Sequence, residues 1–300
     1  MKLPIIIDTD PGVDDFFCLS IGLSYTDQFN LLGITTMGGN NYTHVTTQNA
    51  LDIVQLFKKD VPVISGSTSY LKAEFSKPEA AFHGANGLGD IEIPHSSKLP
   101  LDISVEDFIY NMAKKYSKEL VLVTVAPLTN IARCFLKYPE ITKDIKKIVI
   151  MGGAIQGGNI TPFAEANINH DAYAADIVFR SGIPIDMVGL DVTLNCPLEL
   201  DTFSDISTIL NPEIKQIMQE LITFRNGDPM HDAVAIASLV DEQMLTYKNA
   251  YVTIELNDST HIGQTICDFE SDHPNCRVAI NQNINRYYDV MKGMCERNKD

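Results

Sequence analysis

Short runs of β-branched and other apolar residues alternate along this chain with stretches whose apolar residues recur every three to four positions. Runs of the first kind occupy residues 3–7, 31–36, 61–64, 120–125, 147–151 and 184–189, and they predict buried strands. Stretches of the second kind predict helices. Ala50, Ile53, Val54 and Phe57 share one face of 43–58, and Ile214, Ile217, Met218 and Leu221 share one face of a helix opened by Pro212. Further helices are expected over 16–23, over 104–116 with Ser104 and Asp107 in a capping pattern, from Pro127, over 170–181 ending at Gly182, over 233–240 and over 284–297. One or two more strands are expected between 249 and 281. Strands alternating with helices specify an α/β architecture, a mostly parallel sheet covered on both faces.

In such a sheet ligands bind in the crevice beyond the carboxyl ends of the strands. The unusual polar residues fall at those ends: Asp8 to Asp15, Asn40, the carbonyls around Val125 and Ala126, and 151–167. The segment 68–100 breaks the rhythm, being rich in Gly, Pro, Ser and His and containing Phe82-His-Gly-Ala-Asn-Gly-Leu-Gly-Asp. A loop of that length without its own structure is usually functional or mobile. With no internal repeat, low-complexity tract or linker, 1–300 reads as a single domain.

The stretch Ile5-Ile-Ile-Asp-Thr-Asp-Pro-Gly-Val-Asp-Asp ends an apolar strand in four carboxylates, Asp8, Asp10, Asp14 and Asp15, with Pro11 and Gly12 turning the chain between the pairs. Like charges so close repel unless protons or a cation compensate them, and hard oxygen ligands suit Ca²⁺ or Mg²⁺ rather than zinc. The competing reading is a solvated turn in which Asp caps the next helix. An EF-hand loop is excluded, because the acidic residue it needs twelve positions into the loop is Leu19 when counted from Asp8. The Asp-x-Asp after a strand also resembles haloacid-dehalogenase-type phosphatases, with Asp8 as nucleophile, but those favour Thr or Val where this chain has Gly12.

Composition narrows the partners. With 45% hydrophobic and 21% charged residues the chain has the makeup of a globular protein, and its net charge of −16 disfavours nucleic acid and anionic membrane surfaces while allowing a small neutral substrate. Six scattered cysteines without a Cys-x-x-Cys pair read as free thiols in a reducing compartment. No signal-peptide pattern or apolar run of spanning length is present, so a cytoplasmic location is expected.

Asp8-Thr-Asp-Pro-Gly-Val-Asp-Asp, Thr35-Thr-Met-Gly-Gly-Asn, Ala126-Pro-Leu-Thr-Asn, Met151-Gly-Gly, Glu165-Ala-Asn and His231-Asp232 occur in the order found in inosine-uridine-preferring nucleoside hydrolases, which the chain resembles from residue 5 to about 240. The resemblance implies a three-layer αβα domain with a Rossmann-like sheet and cleavage of ribonucleosides to ribose and free base. It implies Ca²⁺ held by Asp10, Asp15, Asp232 and the backbone carbonyl of Val125, with Asp10 also taking the proton of the attacking water. Asp14, Asn40, Asn159, Glu165 and Asn167 would grip the sugar hydroxyls, with Asn159, Glu165 and Asn167 stabilising its oxocarbenium character, over Met151 as an apolar wall. His231 would protonate the departing base and His83 would lie over it, whereas His44, His95, His170, His261 and His273 look like surface or structural residues. A homodimer or homotetramer is also implied.

Two departures from the family pattern touch specificity. The chain has no Trp, and Phe224-Arg-Asn-Gly-Asp-Pro-Met lacks the tyrosines or glutamine that some relatives bring to the base. Phe82, Phe163 and Phe224 are candidates for stacking on the base, or for core packing. A phosphatase using Asp8 and a non-catalytic nucleoside or calcium sensor are the competing readings of the whole chain.

Overall fold

A computed structural model describes residues 1–75 and 80–299. The first apolar run forms β1 (Leu3–Thr9), in which Ile5, Ile6 and Ile7 are buried and supply both faces of the sheet. After the Asp10-Pro-Gly turn come α1 (Val13–Ser24), β2 (Phe29–Thr36), α2 (Thr43–Leu56) and β3 (Val63–Ser65). The irregular segment that follows carries the one-turn helix α3 (Ala80–His83), and residues 76–79 of it lie outside the described residues. Regular alternation resumes with α4 (Val105–Lys115), β4 (Leu120–Thr124), α5 (Thr129–Lys137), a 3-10 turn at Pro139–Lys143 and β5 (Ile145–Met151).

Beyond β5 lie α6 (Ala166–His170), α7 (Ala172–Phe179), β6 (Ile185–Val188), α8 (Leu190–Thr193), α9 (Leu200–Ile206), α10 (Pro212–Phe224) and α11 (His231–Val240). The chain closes with β7 (Leu245–Ile254), β8 (Thr265–Asp268), β9 (Cys276–Gln282) and α12 (Ile284–Glu296). The strand order is β3-β2-β1-β4-β5-β6-β9-β7-β8. All pairings from β3 through β9 are parallel, and β7 runs antiparallel to both β9 and β8.

Alternate residues of β1 feed two cores, so the molecule has three layers. Ile5 and Ile7 pack with α1, α2, α11 and α12, while Ile6 packs with α4, α5 and α7 on the opposite face. The chain runs outward through β2 and β3 and then returns to place β4 on the other side of β1. That reversal makes the carboxyl ends of β1 and β4 the topological switch point, where the loops on either side diverge and leave a crevice.

Several boundaries differ from the sequence reading for identifiable reasons. Helix α1 begins at Val13 rather than Phe16, so Asp14 and Asp15 sit in its first turn, where the helix dipole favours carboxylates. The helix expected over 170–181 is broken at Asp171, whose non-helical backbone (φ −137°, ψ 72°) lets its side chain cap α7 through the Ala174 N–H. The stretch expected to hold one or two strands contributes three, starting at Leu245, because β8 pairs only with β7 as an edge hairpin. The short α8 and α9 are too brief to show a helical period.

Candidate active site

Asp10 follows β1 directly, and its Oδ2 accepts the backbone N–H of Asn40 at 2.7 Å. That contact explains Gly39, since a Cβ there would lie 2.1 Å from Asp10 Oδ2. Asp15 binds the loop that precedes it. Its Oδ1 accepts from the Thr9 hydroxyl and from the Asp10 N–H at 3.2 Å, and its Oδ2 accepts from the Gly12 N–H at 2.9 Å and from Asn40 Nδ2 at 3.0 Å. Asp232 arrives from the first turn of α11, a helix packed along α1.

Oxygen atoms of Asp14, Asp15 and Asp232 converge to within 4.8 Å of one another. Asp10 stands just outside that trio but raises the pKa of Asp232 through its charge. Burial, reinforced by neighbouring carboxylates, pushes Asp10 and Asp232 well above the ordinary carboxylate range and Asp15 up to about 6. Burial opposes ionisation of Asp14 too, yet His83, Arg225 and His231 together hold it below the usual range. Asp10 Oδ1 and Asp14 Oδ1 are buried with no hydrogen-bond partner among the described residues. Buried oxygens left unmatched in a crowd of like charges fit a hard cation, which would replace the protons those pKa values call for.

The carboxylates open into a cavity of about 320 Å³, within the range of small-ligand sites. Asp14, Asn40, His83, Val125, Met151, Asn159, Glu165, Asn167, His231 and Asp232 all line it, whereas Asp10 and Asp15 lie behind its wall. Asn167 is fixed by donating from Nδ2 to the Val125 and Met151 carbonyls, each at 3.1 Å. Glu165 caps α6 by accepting from the N–H groups of Asn167 and Ile168. Burial outweighs those bonds and that of the Gly153 N–H, lifting Glu165 to about 7. Asn159 Oδ1 accepts the Ala166 N–H at 2.9 Å, which ties the 152–164 loop to α6.

Two imidazoles face this acidic floor. His83 Nδ1 accepts the Val13 N–H at 3.1 Å and lies 3.9 Å from Asp14 Oδ1. Its ring occupies the space that Gly12 leaves, because a Cβ at Gly12 would come within 2.4 Å of His83 Nδ1. Burial drops His83 to about 4, so at neutral pH the ring is uncharged and its Nδ1 lone pair is free to accept. His231 Nδ1 is 2.8 Å from the Thr193 hydroxyl of α8, and burial lowers its pKa as well. A Thr193 hydroxyl donating to Nδ1 would leave the ring hydrogen on Nε2.

Three lining residues had no place in the sequence reading of the site: Arg225, Ile160 and His170. His170, expected to be surface or structural, lines the cavity while stacking on Tyr70 at 5.8 Å. Arg225 carried one sequence signal, a lone cation in the break before His231. Of the phenylalanines considered for stacking, Phe82 lines the cavity, Phe163 packs on His261 at 4.0 Å and Phe224 packs under Gly89. Asp8 points away from the cavity, its Oδ1 accepting from Thr35 Oγ1 and Asn130 Nδ2, so no exposed carboxylate stands where a phosphatase nucleophile would be needed.

A buried carboxylate cluster suited to a divalent cation, at the switch point of a parallel sheet and opening on a polar cavity, defines a metal-dependent α/β enzyme acting on a small polar molecule. Residues 5–289 match the family described as inosine-uridine preferring nucleoside hydrolase, and the chain belongs to that family. It is similar to the pyrimidine-specific ribonucleoside hydrolase RihA of Shewanella woodyi, 37% identical over 280 residues and covering 89% of each chain. It is similar also to the non-specific ribonucleoside hydrolase RihC of Escherichia coli, 34% identical over 292 residues and covering 95% of each. Among solved structures, the purine-preferring ribonucleoside hydrolase from Gardnerella vaginalis superposes with a TM-score of 0.93 at 34% identity, covering 99% of both chains. No helix of the described residues is long and apolar enough to cross a membrane.

Proposed function

We propose that this protein is a Ca²⁺-dependent N-ribohydrolase that splits ribonucleosides into ribose and free base. Membership of the family supports the reaction, and the observation that carries the metal is the set of buried, unpartnered carboxylate oxygens beside the cavity. Asp10, Asp15, Asp232 and the Val125 carbonyl would hold the ion, with Asp14 near enough to share it. When bound, the ion supplies charge that draws ribose hydroxyls and a water together and acidifies that water.

The remaining steps belong to side chains. Asp10, whose Oδ1 is free of protein partners, takes the proton from the water as it attacks the anomeric carbon. Asp14, Asn40, Asn159, Glu165 and Asn167 bind the ribose hydroxyls, and their oxygens stabilise the positive charge that develops on the ring as the glycosidic bond lengthens. Met151 forms the apolar surface under the sugar. His231 donates from Nε2 to the departing base while Thr193 fixes its ring, and His83 covers the base from the other side.

The six cysteines are free thiols, which supports a cytoplasmic setting, and a homodimer or homotetramer is the assembly we assign by kinship. One assay tests the central reading. Release of reducing sugar from inosine, uridine, cytidine and adenosine is expected with Ca²⁺ and is expected to vanish with excess chelator. Full activity in the presence of chelator, or no release from any nucleoside, would overturn it.

A further inference from the structure

Among the described residues, Arg225 is the only lysine or arginine that lines the cavity. It caps the C-terminus of α10, and its side chain is only 10% exposed. A guanidinium carries five N–H donors, is always charged and has no acceptor. Among the described residues this one makes a single long side-chain hydrogen bond, 3.4 Å from Nη1 to the Phe82 carbonyl, and comes no closer than 3.7 Å to the exposed Asp228 carboxylate. A largely buried cation with most of its donors unengaged costs stability, and such a group is retained where a ligand completes its partners.

Its contact with the Phe82 carbonyl, one residue before His83, places it on the histidine side of the cavity. On the proposed reading, with ribose against the carboxylates, that side receives the base. Phe82 supplies apolar surface there, and Arg225 supplies donors only. We propose that Arg225 is a specificity-determining residue that recognises a carbonyl oxygen on the base distal to the glycosidic bond, the feature that distinguishes uracil from cytosine and hypoxanthine from adenine. An amino group at that position would set donors against donors. The carbonyl oxygen also gains negative charge as the base departs, so the contact strengthens along the reaction and acts on kcat as well as on binding.

This inference rests on the hydrolase reading, and its test separates the two. The quantities to measure are the ratios of kcat/KM for uridine over cytidine and inosine over adenosine, in the wild type, Arg225→Met and Arg225→Lys, with melting temperatures to confirm folding. Loss of a charge-assisted hydrogen bond is expected to lower both ratios about 10- to 100-fold in Arg225→Met, and Arg225→Lys is expected to recover part of the loss. Ratios unchanged within about 2-fold while all four substrates fall together would overturn the proposal and reduce Arg225 to a tie for the Phe82 segment. The same two ratios taken from Kd values by calorimetry need no turnover. A wild type that binds nucleosides without cleaving them would sink the hydrolase reading, and the Kd ratios would still decide the role of Arg225.

Discussion

Asp10, Asp14, Asp15 and Asp232 stand at the end of a central strand and in the first turns of α1 and α11, two helices packed against each other and buried along nearly their whole length. Phe82, Ile160 and Arg225, across the same cavity, hang from a one-turn helix, a loop and a helix end, with Phe82 55% and Ile160 44% exposed. Fixed geometry on core elements is what a cation and a ribose require, because oxygen ligands must be held against mutual repulsion. Lightly packed edges change at little cost to the fold, so discrimination among bases is best carried there. On the proposed reading the sugar chemistry belongs to the floor and the choice of base to the rim.

Replacing a floor residue should produce the largest effect. Asp10→Ala is expected to lower kcat for every nucleoside at least about 1,000-fold and to weaken Ca²⁺ binding in the same variant. Calorimetric titration beside steady-state kinetics checks both, and retention of tight Ca²⁺ binding would remove Asp10 from the ligand set.

A residue between floor and rim should act selectively. His231→Ala is expected to cost about 100-fold on inosine and uridine and less than about 5-fold on p-nitrophenyl riboside, whose leaving group needs no proton. Equal losses on both substrates would argue against proton donation by His231.

The smallest effect concerns stability. Asp8 and Glu165 are raised to about 7 and Asp15 to about 6 in the folded chain, mainly by burial. A carboxyl whose folded pKa exceeds its unfolded value keeps its proton longer in the native state, so its ionisation removes stability as pH rises from about 4 through about 7. Ca²⁺ at the cluster offsets the part of that loss that comes from Asp15, once it is charged. The gap in melting temperature between Ca²⁺-loaded and chelated protein is expected to widen by about 5 °C between pH 5 and pH 7.5. A gap independent of pH would separate the metal from Asp15.

The alternation of apolar runs and helical stripes was enough to read the parallel sheet, because its central strands β1, β4 and β6 are short, continuous and buried on both sides. The start of α1 was not legible, since a helix buried all round has no polar face to reveal its period, and its acidic first turn looks like loop. The lining residues on strand ends, such as Met151 and Val125, follow from topology. Arg225 and His83 depend on contacts spanning 143 and 70 residues, Arg225 to Phe82 and His83 to Val13, and no local pattern encodes those. Gly12 shows the limit well: its sequence signal is a turn, while its structural requirement is room for an imidazole from another part of the chain.

Asp8 never meets the cavity, yet one of its oxygens joins β1 to Thr35 of β2 and to Asn130 of α5, and Asn130 in turn reaches the Thr36 carbonyl and the Ser67 N–H. These bonds lace the strands together where their outgoing loops begin to part. The gap between those loops therefore has a set width before any guest arrives, and a nucleoside entering it finds walls that need not be drawn inward. A residue outside the chemistry thus acts as the rivet from which the aperture takes its gauge.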